Sequence, residues 1–128
     1  MRVALYARFS SDNQREQSIT DQYRTCEDYI ARQPDWTITH RFKDEAISGT
    51  HDAAARAGYR EMLDAVKAKQ FDALVIHDLS RLSRDSVETE QARRRLVHWG
   101  VRLSSIGDGI DTQAEGHELM SGFKGLMN

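Results

Sequence analysis

The sequence predicts an α/β domain of three layers, in which a mostly parallel, mixed sheet of four to five strands carries helices on both faces. Two observations predict it. Short apolar runs rich in Val, Ala, Leu and Ile alternate with stretches whose apolar residues recur every three or four positions. Capping or turn residues mark most of the switches between the two patterns. Alternation of this kind packs as βαβ units around a parallel sheet.

The elements follow in order. Residues 2–9 read as a buried strand. Ser18 opens a helix, with Asp21 as its capping-box partner, and Ile19, Tyr23, Cys26 and Ile30 form its apolar stripe at spacings of 4, 3 and 4. Pro34-Asp35 ends that helix. Trp36, Ile38, His40 and Phe42 alternate as a half-buried strand. Residues 44–57 are small and polar and read as a mobile loop. Tyr59, Met62, Leu63 and Val66 form a second helical stripe, and Phe71 to His77 a short strand buried on both faces. Asp85 caps a third helix, with Glu88 at the reciprocal position, and Gly100 stops it. Val101 to Ile106 is a further strand, Gly107-Asp108-Gly109 a turn, and Glu115 begins a last helix.

Composition bounds the class. A chain of 128 residues is one ordinary domain, and 39% hydrophobic with 30% charged residues marks it as globular. No run approaches the roughly 18 apolar residues of a membrane span, and the N-terminus meets Arg2 and Arg8 too soon for a signal peptide. Cys26 is the only cysteine, which excludes an internal disulfide and a multi-cysteine zinc site. It reads as a small core side chain, and a cytoplasmic location is expected. Net charge is −2, so the domain is no polycation, yet 14 of its 18 basic residues are Arg. Arginine stays ionised and presents a planar fork that matches two phosphate oxygens.

Position matters more than count. In an open parallel sheet, ligands bind at the carboxyl ends of strands where the strand order reverses. With the order 2-1-3-4, that point lies between the first and third strands. Tyr6-Ala7-Arg8-Phe9-Ser10-Ser11 ends the first, and Leu79-Ser80-Arg81-Leu82-Ser83-Arg84-Asp85 follows the third. The two segments carry hydroxyls and guanidinium groups to one place. Taken alone, Arg8, Ser10 and Ser11 fit a polar strand end entering a loop as well as they fit an anion site. Arg81 and Arg84, three apart, fit a solvated helix start. However, Arg there opposes the helix dipole, and a bound anion would resolve the conflict. Arg93-Arg94-Arg95 reads as a solvated, salt-bridged face beside Glu88 and Glu90. Arg56 is by itself an ordinary exposed arginine, and Gln22, one turn beyond Ser18, is within reach of the same pocket.

Other chemistries find little support. The five histidines show no metal-ligand spacing, and His77-Asp78 is the only suggestive pair. No G-x-x-x-x-G-K-[ST] or G-x-G-x-x-G motif points to a nucleotide, and no G-x-S-x-G elbow to a hydrolase. No metal or other cofactor is expected.

At these residues the chain resembles the catalytic domain of the serine site-specific recombinases: the resolvases, DNA invertases and large serine integrases. The resemblance runs essentially end to end, through Tyr6 to Ser11, Gln17-Ser18 with Gln22, Asp44 to Gly49, Arg56 to Tyr59, Leu79 to Asp85 and Gly107 to Ile110. Asp12 to Arg15 and Gly122 to Asn128 look most like the large-integrase branch. The resemblance implies a resolvase-like fold. It also implies site-specific recombination, with Ser10 as the nucleophile that forms a covalent phosphoserine bond to a DNA 5′ end. Arg8, Arg81 and Arg84 would surround the phosphate, with Arg56 swinging in. Gln17, Gln22 and Ser80 would position phosphate and DNA. The implied partners are double-stranded DNA and other copies of the protein, as dimer and tetramer, with no membrane, metal or nucleotide triphosphate.

Two departures stand out. Many family members carry Asp where this chain has Ser80, a carboxylate able to orient an arginine or move a proton. The family also continues into a long dimerisation helix and DNA-binding domains. Residues 1–128 are therefore expected to be a catalytic domain cut at the start of that helix. The DNA-binding domains would be absent, DNA binding weak and isolated activity doubtful. The residues also leave room for a remnant that keeps the fold without cleaving strands, and for a doubly wound protein that binds a small phosphate compound.

Overall fold

The first strand, β1 (Arg2–Ser10), lies inside the sheet. On one side it pairs in parallel with β2 (Thr37–Ala46), and on the other with β3 (Ala73–Ile76). Next comes β4 (Arg102–Ser105), parallel to β3, and then β5 (Ile110–Asp111), antiparallel at the edge. The order β2-β1-β3-β4-β5 makes β1 and β3 the pair flanking the switch point, as the sequence predicts. The computed structural model describes residues 1–10, 18–46, 56–83 and 85–113, with Ser10 and Ala46 through their backbone only. Gln17, Arg84, residues 47–55 of the expected loop and the helix expected from Glu115 lie outside the described residues.

Among the described residues, three α-helices cover the sheet. Helix α1 (Ile19–Ala31) begins at Ser18, whose hydroxyl accepts the Asp21 amide at 3.1 Å, and it ends before Pro34. It buries Cys26 and Ile30 against Val3, Leu5 and Val75. Helices α2 (Ala57–Lys67) and α3 (Ser86–His98) cover the opposite face. There Met62, Val66 and Leu96 pack on Tyr6, Leu74, Ile76 and Leu103. Each such side chain contributes about 1.5–3 kcal/mol by leaving water. Gly100, at φ +77°, takes the left-handed conformation that closes α3. At the far edge Arg102 grips Asp111 through two hydrogen bonds, at 2.9 and 2.6 Å, and fastens β5 to β4. Among the described residues, no helix is long and apolar enough to cross a membrane.

Three expectations need correction. The second strand does not stop at Phe42. It runs through Asp44 to Ala46 because β1 continues to Ser10 and supplies backbone partners throughout. Asp44, expected in a loop, is therefore a buried strand residue. Trp36, Ile38, His40 and Phe42 do not share one face either. The register shifts between Val3 and Ala4, where Ile38 is followed by His40 as the next partner. That extra residue sends Trp36 and Ile38 to the α1 side and Phe42 to the α2 side. Finally, Asp85 caps α3 by accepting the Val87 amide, but Glu88 does not return to the cap backbone. The Asp85 amide bonds the Ser83 hydroxyl, which in turn donates to Glu88 at 2.8 Å.

The position of Cys26 has a chemical consequence. Burial pushes its thiol up to about 12, and its sulfur faces the Val75 carbonyl. Only the thiolate is nucleophilic, so alkylation by iodoacetamide at pH 8 should run roughly a thousandfold slower in the native protein than in urea. Mass spectrometry of quenched time points checks this.

Candidate active site at the carboxyl ends of β1 and β3

Strand β1 outruns β3. Its pairing with β3 ends at Tyr6 opposite Ile76, while its pairing with β2 continues to Ser10. The Arg8 peptide therefore has no β3 strand to bond, and side chains replace the strand. The Gln22 amide accepts the Arg8 N–H at 3.2 Å and donates to the Arg8 carbonyl at 2.9 Å. Gln22 is fully buried although it sits on a polar-looking turn of α1. Arg81 donates to the same carbonyl through Nη1 at 3.0 Å. Two motifs far apart in sequence thus meet at the backbone of one residue.

Of the two readings of Arg81, the solvated helix start does not hold. Arg81 closes a separate 3₁₀ turn, Leu79–Arg81, and is only 6% exposed. Asp78 caps that turn. Its Oδ1 accepts the Ser80 amide at 3.0 Å and also the Ser80 hydroxyl. Its Oδ2 accepts Arg81 Nε at 3.2 Å and pairs with His77 Nδ1 at 2.7 Å. Burial alone would raise the Asp78 carboxyl. The Ser80 and His77 hydrogen bonds and the Arg81 charge outweigh it and hold the group below its ordinary value. An ionised carboxylate only accepts, so His77 Nδ1 carries the proton. The His77-Asp78 pair is thus engaged with Ser80 and Arg81. The following turn is tied in by Asp108, which accepts the Leu79 amide at 2.7 Å and the Ser105 hydroxyl at 2.6 Å.

A second network holds Arg56. Asp44, 6% exposed, accepts the Tyr6 hydroxyl at 2.6 Å and the Gly58 and Tyr59 amides at 2.8 and 2.9 Å. It caps α2 from a neighbouring strand, because Arg56 at the N-cap position has no capping side chain. Helix and strand meet so closely that a Cβ on Gly58 would lie 2.0 Å from the Lys43 carbonyl. The Arg56 guanidinium lies 4.1 Å over the Tyr59 ring and donates to the Leu82 carbonyl at 2.5 Å and to Tyr6 Oη at 3.4 Å. Burial raises the Tyr6 pKa against the pull of Arg56, so Tyr6 is a neutral donor to Asp44.

The predicted residues therefore divide. Gln22 and Arg81 converge on the backbone of Arg8, with Ser10 two residues along the same strand. Arg56 docks apart from them, on Tyr6 and Leu82. Ser80 faces Asp78, while Gln17, Arg84 and the Ser10 side chain lie outside the described residues. Arg93 and Arg94 pair with Glu90 as expected of a solvated face, but Arg95 lines the cleft between α2 and α3 beside Arg56 and Tyr59. Tyr6, Asp44 and Asp78 were missed. The buried acceptor of Tyr6 left no local signal, whereas an Asp two residues before Ser80 is a recognisable capping pattern.

The sequence model of the family described as Resolvase, N terminal domain matches residues 3–128. The chain belongs to the serine site-specific recombinase family. Its fold is similar to that of the N-terminal catalytic domain of TP901-1 integrase, at 22% identity and a TM-score of 0.74, covering 98% of this chain and 93% of that one. It is similar also to the C-terminal catalytic domain of ISC1926 TnpA, an IS607-like serine recombinase, at 22% identity and a TM-score of 0.68, covering 94% and 79%. A resolvase family site-specific recombinase from Streptococcus pneumoniae follows at 19% identity and a TM-score of 0.65, covering 99% and 96%. Comparison with curated proteins gave no match.

In this recombinase domain, the two networks make separate predictions. Asp44→Ala strands three donors, two of them at a helix N-terminus, and should destabilise the fold by about 3 kcal/mol or more. Gln22→Leu keeps the volume but removes both hydrogen bonds to the Arg8 backbone, and should cost about 2 kcal/mol. Urea unfolding followed by circular dichroism measures both.

Proposed function

We propose that this chain is the catalytic domain of a recombinase that cuts and rejoins DNA through a covalent phosphoserine at Ser10. The observation that carries the reading is the convergence of Arg81 and Gln22 on the Arg8 peptide. It gathers positive charge from both motifs beside the strand end that bears Ser10.

The chemistry follows from that arrangement. Ser10 Oγ attacks the scissile phosphorus in line, losing its proton as the new O–P bond forms. The bond from phosphorus to the 3′ oxygen breaks, and that oxygen leaves as a hydroxyl after taking up a proton. The DNA 5′ end stays on Ser10. Attack by the 3′ hydroxyl of a partner strand reverses the steps, so the phosphoserine bond conserves the energy for rejoining. Phosphoryl transfer depends mainly on positioning and charge stabilisation, and one preorganised donor is worth about 3 kcal/mol. Arg8, Arg81 and Arg84 supply that charge in this reading, while Gln17, Gln22 and Ser80 position the phosphate and its surroundings.

Arg56 joins from its docked place. Its Nε is buried with no hydrogen-bond partner among the described residues. An unmet donor costs about 1–3 kcal/mol, which favours a move toward a phosphate once DNA is bound. The partners are double-stranded DNA and further copies of the protein, and contact through the arginines should weaken as salt rises.

The test is a nicked suicide DNA substrate incubated with the full-length protein, followed by a denaturing gel and peptide mapping. A protein–DNA adduct on Ser10 is expected, and Ser10→Ala should abolish it. An adduct that persists in that variant refutes the nucleophile.

A further inference from the structure

We propose that Asp78 positions Arg81 for strand cleavage, so that the carboxylate many family members carry at the place of Ser80 is supplied in this chain from two residues earlier. The inference rests on the reading of Ser10 and Arg81 given above.

Capping the 3₁₀ turn needs only one carboxylate oxygen. Oδ1 does that work with the Ser80 amide. Oδ2 is turned the other way, onto Arg81 Nε, and His77 bonded to the same oxygen keeps the carboxylate from rotating away. A guanidinium is planar, so two anchors on different nitrogens fix its plane as well as its position. Arg81 has both: Nε on Asp78 and Nη1 on the Arg8 carbonyl. The second anchor fixes the plane relative to the strand end that carries Ser10. Asp78 touches neither Ser10 nor Arg8 in any of these contacts and acts through Arg81, as a positioning residue does.

Ser80 belongs to the same device. Its hydroxyl donates to Asp78 Oδ1, which a carboxylate at position 80 cannot do. Asp at 80 together with Asp78 would set two carboxylates side by side, and like charges that close are mutually destabilising. The two placements of the carboxylate therefore exclude one another. This gives the proposal a signature that mere capping lacks: each single change should harm, and the exchange of both should repair.

The experiment compares the full-length protein with Asp78→Ser, Ser80→Asp and the double exchange Asp78→Ser/Ser80→Asp. Asp78→Asn is added because it keeps the capping oxygen while replacing Oδ2, the oxygen that holds Arg81, by an amide nitrogen that cannot accept. The readouts are the single-turnover rate of adduct formation, DNA affinity, and the exchange rate of the Arg81 Nε proton by NMR without DNA. Asp78→Ser should slow adduct formation on the order of a hundredfold, as displacement of a group at the reacting centre does, with DNA affinity within about twofold. Asp78→Asn should slow it while unfolding like the parent protein. Ser80→Asp alone should also be slow, and the double exchange should return to within about fivefold of the parent rate. Asp78→Ser at the parent rate, or a double exchange no faster than the slower single variant, would overturn the proposal. If the adduct maps to a residue other than Ser10, the functional reading fails, and the Arg81 proton still decides the positioning. Exchange as slow in Asp78→Ser as in the parent overturns it, and faster exchange restored by the double exchange supports it.

Discussion

The backbone N–H and C=O of Arg8 are the constraint on which the site depends. A strand that extends past its neighbour exposes a donor and an acceptor that must be satisfied or remain a cost of about 1–3 kcal/mol each. Here the fully buried Gln22 satisfies both, as a peptide of a missing strand would, and Arg81 adds a second donor to the carbonyl. The same bonds that complete the sheet also set the spacing between the two arginine-bearing segments. Stability and site geometry are one requirement, so a change that loosens the sheet end also displaces the charge.

Both carboxylates of the site serve two elements at once. Asp44 lies on β2, yet it caps α2 and receives the hydroxyl of Tyr6 from β1. Asp78 caps the turn after β3 and holds Arg81. Carboxylates withdrawn from water are tolerable only when their oxygens are met by donors, and the buried Asp44 and half-buried Asp78 each meet at least three. The result is a positive cluster whose scaffold is locally balanced, which fits a domain of net charge −2 that is no polycation.

Much of this was legible in the sequence for identifiable reasons. The cap at Ser18, the stripe of α1 and the strand order follow from local periodicity and from the rules of parallel sheets. Gln22 was legible as a residue within reach, although its full burial was not, because nothing local shows that β1 outruns β3. Asp44 and Glu45 read as loop because they open a run of small and polar residues. Their strand conformation comes from pairing with β1, residues distant in sequence. The face switch at Thr39 was hidden for the same reason, since a bulge shows only against its partner. The separate 3₁₀ turn that carries Arg81 before α3 begins was hidden, because a spacing of three between Arg81 and Arg84 also fits a helical turn.

The arginines of the site are held in two physically different ways, and this bears on how it works. Arg81 is fixed at two nitrogens by groups that belong to the sheet end and its first turn. Moving it would break hydrogen bonds inside a buried network. Arg56 rests instead on a carbonyl, an aromatic face and one long contact to a hydroxyl. Its backbone precedes a helix that cannot shift toward β2, because Gly58 already meets the Lys43 carbonyl. The side chain can leave while its helix stays. A stiff arm and a releasable arm suit the proposed reaction, which would have to hold one geometry at the phosphorus and still admit and release a DNA strand.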